Sequence, residues 1–358
     1  MRRFRPHLLN VPPYTSARDE YAGTAEIFLD ANENAFASQW SAPYHRYPDP
    51  HHTELRAALG AYLGVSPDSI MCGAGSDELI DWLLRAVCEP GQDELLTITP
   101  TYGVYATYAR IHGIHIREIQ LGEGFSLPVD TLLRAAGPRT PIAILCRPNN
   151  PTGTLWPAEE VQRFIDQFDG WIVLDEAYIE FSDEPAGWLP RRSSGTVILR
   201  TFSKAWGLAG WRIGYAVAEP EVVSLFYRTK LPYNLSGPAQ AAAIAALRDQ
   251  ERIRQSIEEV RRERHRVSET LRNLPIVEEV FPSQANFILV RFQAAKSIYQ
   301  ALAERGIIVR YRGNLPLCEN TLRITIGTPE ENDKLIHALR ELSAQAARGK
   351  ILKTESQH

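Results

Sequence analysis

The 358-residue chain is sparing with cysteine, lacks any run of about 20 apolar residues, and carries no strong charge of either sign. Its four cysteines, Cys72, Cys88, Cys146 and Cys318, are far apart and form no CxxC pair. That spacing encourages neither a zinc site nor a disulfide framework. Lys and Arg number 39 against 43 Asp and Glu, a net charge of −4. The balance gives no electrostatic reason to expect nucleic acid or an anionic membrane as partner. The start, Met1-Arg2-Arg3-Phe4-Arg5-Pro6, is basic but has no apolar stretch of the kind a signal peptide needs. A cytoplasmic protein acting on small molecules is the expectation.

What is present is alternation. Short, nearly continuous apolar runs at 95–99, 142–146, 171–174 and 197–199 read as parallel strands buried on both faces. Between them lie helical patterns at 79–87, 157–168 and 238–247. The fold class expected is α/β, a three-layer, mostly parallel sheet with helices on both faces, joined to a smaller α+β domain. The smaller part begins after about Asp249 with a long charged helix through 252–273. A strand at 286–292, a helix at 295–305, strands at 307–310 and 322–326, and a last helix follow. Thr328-Pro329-Glu330-Glu331 opens that helix with a cap residue, a proline at N1 and a capping-box glutamate. The expected division is an N-terminal segment at 1–35, a large domain at 36–250, a small domain at 251–347 and a polar tail at 348–358.

In open α/β sheets, ligands bind beyond the carboxyl ends of the strands. Here those ends carry Thr101-Tyr102, Asn149-Asn150-Pro151-Thr152-Gly153, Asp175-Glu176-Ala177-Tyr178 and Thr201-Phe202-Ser203-Lys204. An aromatic ring, an amide, a carboxylate and an amine would then meet in one crevice. Singly each has a plain reading: core tyrosine, Asn-Pro turn, capping acid, solvated lysine. Four in order point to chemistry. Thr201 and Ser203 put hydroxyls just before the Lys204 amine, and Arg212 follows eight residues after it, next to Gly214. Hydroxyls with an arginine suit a phosphate, and a nearby cation lowers a lysine pKa. Gly73-Ala74-Gly75-Ser76-Asp77-Glu78 leads into a helix whose N-terminus favours an anion.

The 201–210 segment resembles the cofactor-lysine segment of fold-type I pyridoxal-phosphate enzymes, specifically the class II aminotransferases. The resemblance implies pyridoxal 5'-phosphate as cofactor and Lys204 as the residue that holds it covalently and then carries a proton. It implies that Gly75, Ser76, Asp77, Thr201, Ser203 and Arg212 surround the cofactor phosphate. Tyr102 would stack on the ring, Asp175 would meet its nitrogen, and Asn150 and Tyr178 its phenolate oxygen. Arg147 stands where that family has a small polar residue.

Three N-terminal segments, Pro13-Tyr14-Thr15-Ser16-Ala17-Arg18, Leu29-Asp30-Ala31-Asn32-Glu33-Asn34 and Arg46-Tyr47-Pro48-Asp49-Pro50, are similar to those of the histidinol-phosphate aminotransferases. That family implies a homodimer in which Tyr47 reaches the neighbouring subunit's cofactor phosphate and Tyr14 faces the substrate. Arg310 and Arg323, thirteen residues apart and each in an apolar run, suit an anion clamp. By resemblance Arg323 binds the substrate carboxylate with Arg310 as its partner. The implied reaction exchanges an amino group between histidinol phosphate and 2-oxoglutarate, giving glutamate. An aromatic-amino-acid aminotransferase and a threonine-phosphate decarboxylase remain open on the same scaffold. A DNA-binding regulator with such a domain is disfavoured, because the sheet domain begins too early for an appended module.

Overall fold

Apolar runs without alternation need cover on both faces, and the computed structural model supplies it. It describes residues 3–14, 27–36, 44–191 and 193–348. The strands of the larger sheet are β1 (Ile70–Gly73), β2 (Glu94–Thr99), β3 (His115–Gln120), β4 (Ile142–Cys146), β5 (Trp171–Asp175), β6 (Thr196–Thr201) and β7 (Gly214–Val217). They lie in the order β1-β7-β6-β5-β4-β2-β3, with β7 antiparallel to both its neighbours. Successive residues go to opposite layers, as a period of two requires. Ile172, Leu174 and Ile198 pack with helices Thr53–Leu63, Ala158–Gln167 and Gly237–Arg248. Trp171, Val173, Val197 and Leu199 pack with Gly75–Val87, Val104–Ile111 and Pro220–Thr229. Each fully buried aliphatic side chain of this kind contributes roughly 1.5–3 kcal/mol. The three-layer expectation holds.

The second sheet is antiparallel, in the order β10-β11-β9-β8, from β8 (Val277–Val280), β9 (Phe287–Phe292), β10 (Arg310–Tyr311) and β11 (Thr321–Thr325). Helices Gln250–Arg272, Ala295–Glu304 and Pro329–Ala347 bury Val267, Leu271, Ile298, Leu302, Leu335 and Leu339 with Ile288, Val290 and Ile324. The capping box at the last helix is present: the Glu331 N–H donates to Thr328 Oγ1, and the Thr328 N–H to Glu331 Oε2 at 2.8 Å. One expectation fails. The apolar residues Ile307, Ile308 and Val309 were expected to form a strand with Arg310, but pairing begins only at Arg310, and Ile308 is 73% exposed. Hydrophobicity marked the right segment and the wrong rungs. Of the polar tail expected at 348–358, residues 349–358 lie outside the described residues, as do residues 15–18 of the first N-terminal segment.

Candidate active site

β1 and β6 run parallel because each is antiparallel to β7, so the carboxyl ends of β1, β2, β4, β5 and β6 share one edge. Gly73 and Thr201 both pair with Gly214 there, which brings the start of helix Gly75–Val87 beside the lysine turn. Glycine is required at the junction. A Cβ on Gly214 would lie 2.2 Å from the Ser76 nitrogen, and one on Gly75, where φ is +77°, would lie 2.6 Å from the Arg212 guanidinium. The first turn of the helix, with Ser76 and Asp77, thus borders the cleft, and the positive end of the helix dipole lies there. Glu78 closes the turn from behind: Ala74 N and Asn234 Nδ2 both donate to its Oε2.

One cleft is lined by Ser76, Asp77, Tyr102, Asp175, Tyr178, Thr201, Ser203, Lys204 and Arg212, with Cys146 and Ala177. Nine of the twelve residues expected around the cofactor thus meet in one place. Gly75 is not among the lining residues but lies against Arg212, which is. Asn150 stands at its rim, donating from Nδ2 to the Tyr178 hydroxyl at 3.4 Å and accepting from Arg323 Nη1. Arg323 therefore ties the small sheet to the cleft. Tyr47 is elsewhere: it is half exposed and stacks on Tyr233 at 4.4 Å. Tyr14, 68% exposed, lines a separate cavity with His51, Arg56 and Tyr227. Within one chain neither tyrosine joins the cleft.

The electrostatics are arranged for charge transfer. Asp175 is 2% exposed, and burial raises its pKa to about 6 against the pull of the Tyr105 hydroxyl and the Ala177 N–H. Tyr105 donates to Oδ2 at 2.6 Å and Ala177 to Oδ1 at 3.2 Å, so the carboxylate is oriented from both sides. Lys204 reaches into the open cleft 5.5 Å from the centre of the Tyr178 ring. Its pKa is lowered, first by loss of water and then by Arg323, while Asp175 opposes the shift. More of the amine is then neutral and nucleophilic near neutrality. Arg212, in the left-handed region at φ 53°, donates to Ser203 Oγ at 3.3 Å and to Asp77 Oδ2 at 3.2 Å.

These residues fit the expected cofactor. A glycine cradle, exposed helix amides, Ser203 and Arg212 suit its phosphate, and an oriented buried carboxylate suits its ring nitrogen. Two expected contacts are already partly committed. Thr201 Oγ1 donates to Ile213 O and accepts from Ser203 N, and the Asp77 carboxylate accepts from Arg212 and from the Tyr102 hydroxyl. Arg147 has no part in the cleft. Fully buried, it donates to Trp156 O and to Glu184 Oε2 at 2.7 Å. Sequence reasoning missed Tyr105 and Asn149. Tyr105 looked like any helix aromatic, three residues beyond Tyr102. Asn149 joins two turns by accepting from Thr101 and donating to Pro100 O and Thr152.

A model of the aminotransferase class I and II family matches residues 21–339. The histidinol-phosphate aminotransferase of Parabacteroides distasonis is 42% identical over 340 residues, 94% of this chain and 97% of that protein. The structure of the Sinorhizobium meliloti histidinol-phosphate aminotransferase in complex with pyridoxal-5'-phosphate superposes with a TM-score of 0.77. It is 30% identical, covering 86% of this chain and 85% of that one. An L-threonine-O-3-phosphate decarboxylase from Porphyromonas gingivalis gives 0.70 at 26% identity, covering 84% and 91%. The chain belongs to the class I and II aminotransferases and, within them, to the pyridoxal-phosphate-dependent histidinol-phosphate aminotransferase family.

Proposed function

We propose that the protein transfers the amino group of histidinol phosphate to 2-oxoglutarate, giving imidazole-acetol phosphate and glutamate, in histidine biosynthesis. The observation that carries this reading is the placement of Arg323. It is hydrogen-bonded to Asn150 at the cleft and is among the cations that lower the Lys204 pKa, with Arg310 opposite it on β10. An anionic substrate group held there would put the adjoining amine-bearing carbon beside Lys204.

When bound, the cofactor supplies an electron-accepting ring that stabilises negative charge developing at the substrate α-carbon. The chain's own groups do the rest. Asp175 would set its carboxylate against the ring nitrogen and favour its protonated form, and Tyr105 and Ala177 keep that carboxylate from turning away. Tyr178 and Asn150 would offer an O–H and an N–H to the ring oxygen. Lys204, the amine in the cleft, would hold the cofactor, and as a free amine it would take the substrate's α-proton and carry it within the cleft. Arg212, Ser203 and the helix amides of Gly75, Ser76 and Asp77 would hold the phosphate.

A donor panel tests the reading. Histidinol phosphate is expected to exceed phenylalanine in kcat/KM by at least about tenfold, the worth of one charge-assisted hydrogen bond. Threonine phosphate should release no carbon dioxide. Arg323→Ala should lower efficiency with every donor by about ten- to a hundred-fold. Equal efficiency with phenylalanine would move the protein to the aromatic-amino-acid aminotransferases, and carbon dioxide release to the decarboxylases.

We further propose a cytoplasmic homodimer in which Tyr47 completes the partner's site; residues 36–250 and 251–347 form its large and small domains. Support comes from the exposure of Tyr44, Tyr47, Trp211 and Leu231, aromatic and aliphatic surface of the kind subunit contacts cover. Mixing Lys204→Ala subunits with Tyr47→Ala subunits should restore about a quarter of wild-type activity, since half of the dimers then carry one intact site. Activity that never exceeds either parent after subunit exchange contradicts a shared site.

A further inference from the structure

Three guanidinium groups share one face of the small sheet beside the cleft. Arg310 pairs across the sheet with Arg323. Arg312 lies two residues beyond Arg310, so it points to the same side. Its N–H donates to Thr321 O at 2.9 Å, which carries the register one rung past the end of β10. The three differ in setting. Arg310 is exposed; Arg312 and Arg323 are partly buried, and the Nε of each is sealed from solvent without a hydrogen-bond partner.

Such a group is costly to assemble. Burial lowers the Arg312 pKa to about 10, helped by repulsion from Arg323 and then Arg310, with Tyr178 among the groups that oppose the shift. Among the described residues no carboxylate pairs with any of the three, whereas Arg291 on the same sheet pairs with Glu279 at 2.9 Å. Arg312 shares its face of the sheet with Arg323, which donates to Asn150 at the cleft, so its guanidinium lies on the substrate side. Three mutually repelling cations with no carboxylate between them are relieved together by an anion of more than one charge. A carboxylate, with one charge and two oxygens, is served by the fork of Arg323 alone. A phosphate monoester brings nearly two charges and three free oxygens.

We propose that Arg312 is the specificity-determining cation of this pocket, the group that favours a phosphate-bearing donor over a carboxylate-bearing one. The inference rests on the reading of histidinol phosphate as donor and deepens it. Arg323 orients either substrate, Arg310 adds charge at the rim, and Arg312 supplies its donors only to an oxygen that a carboxylate does not have.

The test uses the holoenzyme, in which the cofactor already fills its own phosphate site. In Arg312→Gln the ratio of kcat/KM for histidinol phosphate to that for glutamate should fall about ten- to a hundred-fold, the worth of charged hydrogen bonds. Arg312→Lys, which keeps the charge without the fork, should fall less. Inorganic phosphate competing against glutamate should bind Arg312→Gln about tenfold more weakly than wild type, the loss of one such contact. Unchanged thermal unfolding and cofactor absorbance would separate these effects from misfolding, and Arg312→Lys gives the answer should the glutamine variant fail to fold. An unaltered donor ratio in either variant overturns the proposal and leaves the reaction standing. A wild-type enzyme indifferent to histidinol phosphate overturns the proposed function, while phosphate competition still decides the role of Arg312. Equal phosphate competition in wild type and variant, or none in wild type, overturns that role.

Discussion

Lys204→Ala should retain cofactor but lose at least about 10⁴-fold in turnover, because in the proposed reaction one side chain supplies both the covalent hold and the proton carrier. The position allows no substitute. Lys204 stands where β6 ends, with Ser203 and Arg212 on the phosphate side and Asp175 and Tyr178 across the cleft. The next lysine in the chain, Lys230, donates to the carbonyls of Leu231 and Pro232 rather than to the site. Cofactor retention follows from the other contacts: Arg212, Ser203, the helix amides and Asp175 are untouched. Addition of a small primary amine should restore part of the lost proton transfer, since the cavity left by the side chain opens on the cleft. Loss of less than about tenfold would mean that another group handles the proton.

The second large effect is Asp175→Asn, and it has opposite signs in the two forms of the protein. Turnover should fall by about 10²–10³-fold, since the amide keeps the shape but cannot balance a protonated ring nitrogen. Stability of the cofactor-free protein should rise. Burial raises the Asp175 pKa from the usual 3.8 to about 6, so the folded chain holds this proton more tightly than the unfolded one. Ionisation therefore costs nothing below about pH 4, costs more as the pH rises to about 6, and levels off above it at an order of 3 kcal/mol. The asparagine variant escapes that cost, so its advantage in urea unfolding should be about 1–3 kcal/mol at pH 8 and should vanish near pH 4. An advantage independent of pH would show that the charge of Asp175 is not what strains the fold. Single-turnover rates unchanged with cofactor bound would make the residue structural.

This opposition explains how much of the site was readable beforehand. A sequence displays its chemistry where a strand ends, because the sheet fixes where that end must go. Asp175, Asn150, Lys204 and Tyr102 each follow a run of buried residues, and the parallel order of β2, β4, β5 and β6 delivers them to one edge. The strands that went unread lack that contrast. β3, His-Ile-Arg-Glu-Ile-Gln, lies at the sheet's edge and is largely exposed and polar, and β1, β7 and β8 are four residues each. What supports the site from behind was also hidden. The hydroxyl of Tyr105 on Asp175 and the Glu78 carboxylate on Ala74 are tertiary contacts that leave no mark in local pattern. Arg147, an anomaly in the sequence, is explained by its burial against Trp188 and Glu184. Arg312 lies one rung past the end of β10, and the sealing of its Nε is a property of the packed sheet.

The central claim is that one lysine holds the cofactor in the cleft between the strand ends, and reductive trapping addresses it directly. The chain has six lysines, and only Lys204 and Lys230 fall within 36–250. Borohydride treatment of the holoenzyme followed by trypsin should yield one modified peptide, 201–212. Cleavage should occur after Arg200 and Arg212 but not at the blocked Lys204. Stoichiometric modification in that peptide is the predicted result. Modification of Lys230, Lys296 or Lys334 with peptide 201–212 cleaved normally at Lys204 would contradict the account at its root.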